Sequence, residues 1–174
     1  MTNFKADIKY NKENTEHLCE TVRKRFHFWD DTSLYLLAAA LIGLGLYKGL
    51  DGKLGLILVL CGCLLLPNAN YAKKQFTKRM LSFMEGWWPT VSYRFSEDVI
   101  ESVTDRETTK TRIDKIICLL KEEEYYFLFD SRSSAFMIRR ASLSPKDEEA
   151  FEAFLTEKTG LKWKKPSKRR IRFI

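Results

Sequence analysis

The residue types that do chemistry are thinly spread along this chain. His17 and His27 are the only histidines. Ten residues apart on one helix, they would sit about 15 Å apart along its axis, with no set of cysteines or carboxylates to complete a metal site. The four cysteines, Cys19, Cys61, Cys63 and Cys118, lack zinc spacing with histidine. Cys61 and Cys63 point apart on a helix, so all four read as free thiols of a reducing compartment. Carboxylates cluster at Asp30-Asp31, Glu97-Asp98, Glu122 to Glu124 and Asp147 to Glu149. All fall at expected turns or helix starts, where capping and solubility account for them better than acid–base work. No Gly-rich phosphate loop, Gly-x-Ser-x-Gly elbow or His-Glu-x-x-His pair occurs. The expectation is therefore no catalytic residue, no metal, no cofactor and no enzyme.

Cations form the stronger pattern. Arg139 and Arg140 end a predicted strand beside a turn, with Arg112 and Arg132 as further cations of the same region. Such a group suits a phosphate or an acidic peptide, or is simply a solvated strand end. The tail LKWKKPSKRRIRFI alternates seven cations with Trp163, Ile171 and Phe173, and Pro166 discourages a helix. Near an anionic leaflet each cation contributes roughly 1 kcal/mol. Trp163, Lys164, Lys165, Arg169 and Arg170 are accordingly candidates for membrane-surface contact. The net charge is +7, but residues 88–160 carry −4 and the last fourteen residues +7. A globular nucleic-acid-binding face, which would spread its basic charge over the domain, is disfavoured.

The elements that must position these residues are organised around Ser33 to Leu66. SLYLLAAALIGLGLY and LGLILVLCGCLLL flank the polar KGLDGK. Each uncharged run is short: about 15 residues cover only ~22 Å of a ~30 Å hydrocarbon core. Trp29 and Tyr35 at one end, with Lys48 and Lys53 snorkelling at the other, would close the gap. The expectation is a transmembrane helical hairpin over residues 29–72, with spans at about 31–48 and 53–70. A hairpin buried inside a globular protein is the alternative; runs such as LILVL leave it no polar stripe. Ala39 and Gly43, with Gly45, Gly55 and Gly62 nearby, would allow close helix approach. Arg23, Lys24 and Arg25 precede the hairpin, and Lys73, Lys74, Lys78 and Arg79 follow it. The positive-inside rule then places both termini in the cytoplasm. A signal peptide is not expected, because the first residues alternate in polarity.

Before the hairpin, residues 1–28 hold a strand, with Phe4, Ala6, Ile8 and Tyr10 on one face, and an amphipathic helix from about Glu16 to His27, capped by Asn14 or Thr15. After it, residues 73–89 read as a juxtamembrane helix. Residues 90–160 switch to period two: strands near 90–95, 98–103, 108–113, 114–121, 125–129 and 135–138, separated by short turns. Ser144-Pro145 then opens a helix with Ala150, Phe151, Phe154 and Leu155 inward, stopped by Gly160. Residues 161–174 form the basic tail. The fold class expected is an α+β membrane protein: a transmembrane hairpin plus a small antiparallel pleckstrin-homology-like (PH-like) barrel closed by a C-terminal helix.

Three stretches carry a resemblance: VSYRFSEDVIESVT (91–104), RIDKIICLLKEEEYYFLFD (112–130) and AFMIRRASLSPKDEEAFEAFL (135–155). Their order around the hairpin resembles the YcxB-like family of bacterial membrane proteins. Arg139 and Arg140 stand where that pattern has Pro-Lys, and Arg112 where an aromatic is common. The resemblance implies a PH-like cytoplasmic domain on a two-span protein of the bacterial inner membrane, and supplies no catalytic residues. The expected function is an integral inner-membrane protein presenting an interaction or regulatory module to a protein partner. Its expected surroundings are the lipid bilayer and its anionic leaflet. The alternative is a membrane sensor that captures an anionic lipid headgroup or acidic peptide at Arg139 and Arg140.

Overall fold

The computed structural model describes residues 3–26, 28–49, 52–84 and 86–166. The chain divides into two compact units, Met1–Asn11 with Gly86–Ile174, and Lys12–Glu85.

In the first unit, strands β1 (Phe4–Lys9), β2 (Thr90–Phe95), β3 (Val99–Val103) and β4 (Thr108–Arg112) make an antiparallel sheet in that order. Alternation decides its faces. Phe4, Ala6 and Ile8 of β1 and Val91, Tyr93 and Phe95 of β2 are buried, while Lys5, Asp7, Lys9 and Arg94 face outward. Pairing joins Phe4 to Phe95 and Lys9 to Thr90. The N-terminal strand thus enters the sheet beside a strand that follows it by some eighty residues. Its other edge exchanges two backbone hydrogen bonds with Ser144, each 2.8 Å.

The second sheet contains β5 (Cys118–Lys121), β6 (Tyr125–Phe129), β7 (Ala135–Arg139) and β8 (Trp163–Lys164), in the order β7-β6-β5-β8. All its pairings are antiparallel except that of β8 with β5. The stretch expected to be one strand over 114–121 is split. Ile113–Lys115 is a 3-10 turn, and the strand begins at Cys118. This turn buries Ile113 and carries the chain from one sheet to the other.

Helix α4 (Glu148–Thr159) packs on both sheets. Asp147 caps it by accepting from the Ala150 N–H at 2.9 Å, and Gly160 ends it at φ +67°. The helix was expected to open at Ser144-Pro145; the carboxylate of Asp147 provides the stronger cap, so helical geometry starts one residue later than that cap. Phe151 is the hub. Its ring lies 5.2 Å from Phe4 and 5.1 Å from Phe95 in the first sheet, and 5.4 Å from Tyr126 in the second.

The second unit is helical: α1 (Lys12–Phe26), α2 (Phe28–Lys48) and α3 (Lys53–Met84). Asn14 and Thr15, expected as caps, lie buried inside α1. There the Thr15 hydroxyl donates to the Met84 sulfur at 3.7 Å. Helices α2 and α3 form an antiparallel pair around Gly49, whose φ is +84°. Close approach rests on Gly45, Gly55 and Gly62. A Cβ on Gly62 would meet Ile42 Cγ1 at 2.6 Å and the Ala38 carbonyl at 2.8 Å, while one on Gly43 would meet nothing. Of the small residues expected to allow close approach, Gly45, Gly55 and Gly62 do so and Gly43 does not, and Ala38, 0% exposed, lies against Gly62 where Ala39 was expected.

The transmembrane assignment is overturned. Among the described residues, no helix is long and apolar enough to cross a membrane. The physical reason is run length. In α2 the uncharged stretch lies between Asp31 and Lys48, and in α3 Pro67, Asn68 and Asn70 interrupt the apolar one. The expected fold class loses its two spans. With them go the multi-pass inner-membrane location, the two-cytoplasmic-termini topology, the integral-membrane function and its membrane-sensor alternative.

Candidate interaction site

The four arginines expected at an anion site do not come together. Arg112 ends β4 in the first sheet and is bound by Asp114, Nε to Oδ1 at 3.2 Å and NH2 to Oδ2 at 2.6 Å. Arg132 precedes β7, whereas Arg139 ends that strand and Arg140 follows it, about 13 Å of strand away. Arg139 is exposed at the strand end opposite Tyr125.

Arg140 is committed to the fold. Its guanidinium grips the Glu148 carboxylate through Nε and NH2, and its NH1 donates at 3.0 Å to the carbonyls of Glu122 and Glu123. It also lies 5.3 Å from the centre of the Tyr126 ring. The Tyr126 hydroxyl donates to Glu152 Oε1 at 2.7 Å, and Lys121 Nζ reaches the same oxygen at 2.5 Å. The Trp163 ring of β8 lies tilted, 5.0 Å from that of Tyr126, and its indole N–H donates to the Glu152 carbonyl at 3.1 Å.

This cluster fastens β5, β6 and β8 to α4. Hydrogen bonding from Arg140 holds the Glu148 carboxyl below its ordinary range, despite partial burial that pushes the other way. Burial, reinforced by Glu152 and Glu148, pushes the Tyr126 phenol far up, so it stays protonated. Its polar atoms satisfy one another in opposite-charge pairs, which is the arrangement of a rivet rather than of a poised base. Burial likewise pushes the Cys19 thiol up to about 11, against thiolate chemistry. Among the described residues no group of three or more His, Cys, Asp or Glu could hold a metal ion.

The cations expected near a membrane surface are dispersed. Arg23, Lys24 and Arg25 fill the last turn of α1, where Lys24 pairs with Glu20 at 2.7 Å. Trp29 is the second residue of α2; Lys73, Lys74, Lys78 and Arg79 lie along α3, the last two exposed. Trp163 and Lys164 form β8 and Lys165 follows it. Arg169 and Arg170 lie outside the described residues. The all-round apolarity read in the two runs shows in the exterior of α2 and α3. Leu36 is 64% exposed and Leu54 63%, with Leu37, Leu44, Leu46, Leu56, Ile57 and Leu60 at least half exposed. The signal for it was present in the apolar runs themselves.

Two sheets packed on one C-terminal helix, with the polar cluster spent on that helix, make a small α+β domain. Residues 95–155 match the family model described as YcxB-like protein, so the chain carries a YcxB-like domain. The match runs from the end of β2 into α4 and leaves β1 and β8 outside it. No curated protein and no solved structure matches the chain.

Proposed function

We propose that this chain is a non-enzymatic adaptor that associates with a lipid surface without crossing it, through the helical unit, and holds its YcxB-like domain there for a protein partner. One observation carries the reading: large apolar side chains stand exposed around α2 and α3 rather than along one stripe. Leu36 and Leu37 are adjacent, about 100° apart on the helix, and Leu56 and Ile57 repeat the arrangement on α3. A protein partner covers one face of a helix pair. A fluid apolar layer covers every outward face, and exposed apolar surface of this extent marks an interaction site. Runs of ~22 Å are too short for a ~30 Å core, yet ample for one leaflet. Lys48, Lys53, Lys78 and Arg79, all exposed, add a preference for anionic headgroups.

Flotation of the full chain with vesicles provides the test. The protein is expected to rise with neutral vesicles and more completely with anionic ones. Replacing Leu36, Leu44, Leu56 and Leu60 by serine should abolish flotation while leaving thermal unfolding of the strand unit in place. Wild-type protein that stays at the bottom of the gradient with both lipid compositions refutes the reading. A thiol reagent sealed inside the vesicles should not label Gly52→Cys; labelling there would mean that the pair crosses.

A further inference from the structure

We infer that the open edge of β4 is a docking site for an extended acidic peptide segment, which it accepts as a fifth strand of the first sheet. The edge is built for this by register. Thr104 N–H donates to the Glu107 carbonyl and Ile113 N–H to the Asp98 carbonyl, each at 2.9 Å. Antiparallel pairing alternates bonded and non-bonded pairs. Between those two fixed points, Ser102↔Thr109 and Ile100↔Thr111 must therefore be the bonded pairs of β3 and β4. The N–H and C=O groups of Thr108, Lys110 and Arg112 consequently point away from β3, off the edge of the sheet. Strand β4 is last in the sheet order, and its side chains are exposed at every position but Thr111.

Charge selects the occupant. Pairing aligns Lys5, Arg94, Glu101 and Lys110 in one row across the outer face of the sheet. Glu101 is the single acid of that row and is shared, 3.3 Å from Lys110 and 3.8 Å from Arg94. A strand added beyond β4 sets its own residue directly opposite Lys110, whose side chain is 68% exposed. A carboxylate there continues the row with opposite charge, whereas a lysine is repelled. A second copy of β4, paired antiparallel about its centre, brings Lys110 against Lys110, so self-pairing is opposed by the same residue. Main-chain hydrogen bonds supply affinity, and alternate side chains supply selection.

The probe is a short, terminally blocked peptide of alternating threonine and glutamate, titrated into the full chain and followed by backbone amide shifts. Shifts are expected at Thr108–Arg112, with a twin peptide of alternating threonine and lysine binding about tenfold more weakly. Lys110→Glu should reverse that preference. Lys110→Pro should abolish binding with the sheet intact, because the Lys110 N–H makes no bond to β3. If the proline variant fails to fold, reversal by Lys110→Glu decides alone. Equal binding of the two peptides, shifts confined elsewhere, or no shift at about millimolar peptide would overturn the site. Concentration-dependent shifts of the same amides without peptide would assign the edge to a second copy and overturn the acidic partner.

Discussion

Arg140 shows how much a residue's worth depends on its commitments. Its guanidinium spends both faces of its fork on Glu148 and on two carbonyls, and only 21% of its side chain is exposed. Arg140→Gln should destabilise the strand unit by about 1–3 kcal/mol, read by chemical denaturation, because Glu148 and the Glu122 and Glu123 carbonyls lose a charged donor together. The acid limb of stability follows from the same pair. The Glu148 pKa is lowered from its ordinary 4.5, chiefly by the hydrogen bonds from Arg140. Its contribution is thus fully present above about pH 4.5 and is lost as pH falls through the lower folded-state value. The Arg140→Gln variant should therefore lose less stability than wild type between pH 5 and 3, on the order of a few tenths of a kcal/mol less, given partial exposure. An equal acid limb in both proteins would place the coupling elsewhere. Tyrosines divide in the alkaline range. Tyr10, Tyr93 and Tyr126 are pushed up by burial, so their phenolate absorbance should appear above the ordinary tyrosine range. In the sequence, the Arg139–Arg140 pair looked like one site. What separates them is tertiary: Glu148 lies eight residues on, and the two carbonyls belong to the turn between β5 and β6, so no local spacing reports them.

At the scale of elements, two substitutions of one chemistry separate packing from propensity. Gly62→Ala forces its new methyl against Ile42 and the Ala38 carbonyl, so α2 and α3 must part. A loss of roughly 1–3 kcal/mol is expected. Gly43→Ala meets open space and should gain up to about 1 kcal/mol from helix propensity. Thermal melts of the two variants should move in opposite directions; movement in the same direction would mean that the close approach does not hold the pair. Phe151→Ala, which empties the ring contacts of α4 with both sheets, should cost about 3–5 kcal/mol. Periodic elements were legible in the chain. The alternation Phe4-Ala6-Ile8 gave β1, and Val91-Tyr93-Phe95 gave β2, because sidedness is local. Strand β8 was not, since two residues beside Pro166 have no period to read. Trp163 looked like a membrane anchor for the same reason: an indole suits an interface or a Tyr126 ring equally well, and only the fold chooses. For the hairpin, apolarity was legible but its surroundings were not; the runs state that water is excluded, not what excludes it.

Across the whole molecule, the decisive topological fact is that β1 pairs with β2 although the helical unit lies between them in sequence. That pairing leaves no trace in local pattern, so the sheet membership of β1 could not be read in advance. It makes a prediction. A chain starting at Gly86 would lack β1 and expose the buried faces of Val91, Tyr93 and Phe95. Supplied separately, a peptide of residues 3–11 should restore its thermal transition, whereas a version with Phe4 and Ile8 replaced by serine should not. Restoration by the serine version would make β1 dispensable.

The separation of β1 from its partner also imposes a schedule on synthesis. At about 5–20 residues per second, β1 leaves the ribosome several seconds before β2 exists. Through that interval Phe4, Ala6 and Ile8 have no sheet to enter, while α1, α2 and α3 emerge one after another. Sheet one therefore closes late, after its own first strand has waited through the making of everything between. A nascent chain stalled within α3 should accordingly display β1 to a protease, and the same bonds should become resistant once translation has passed α4.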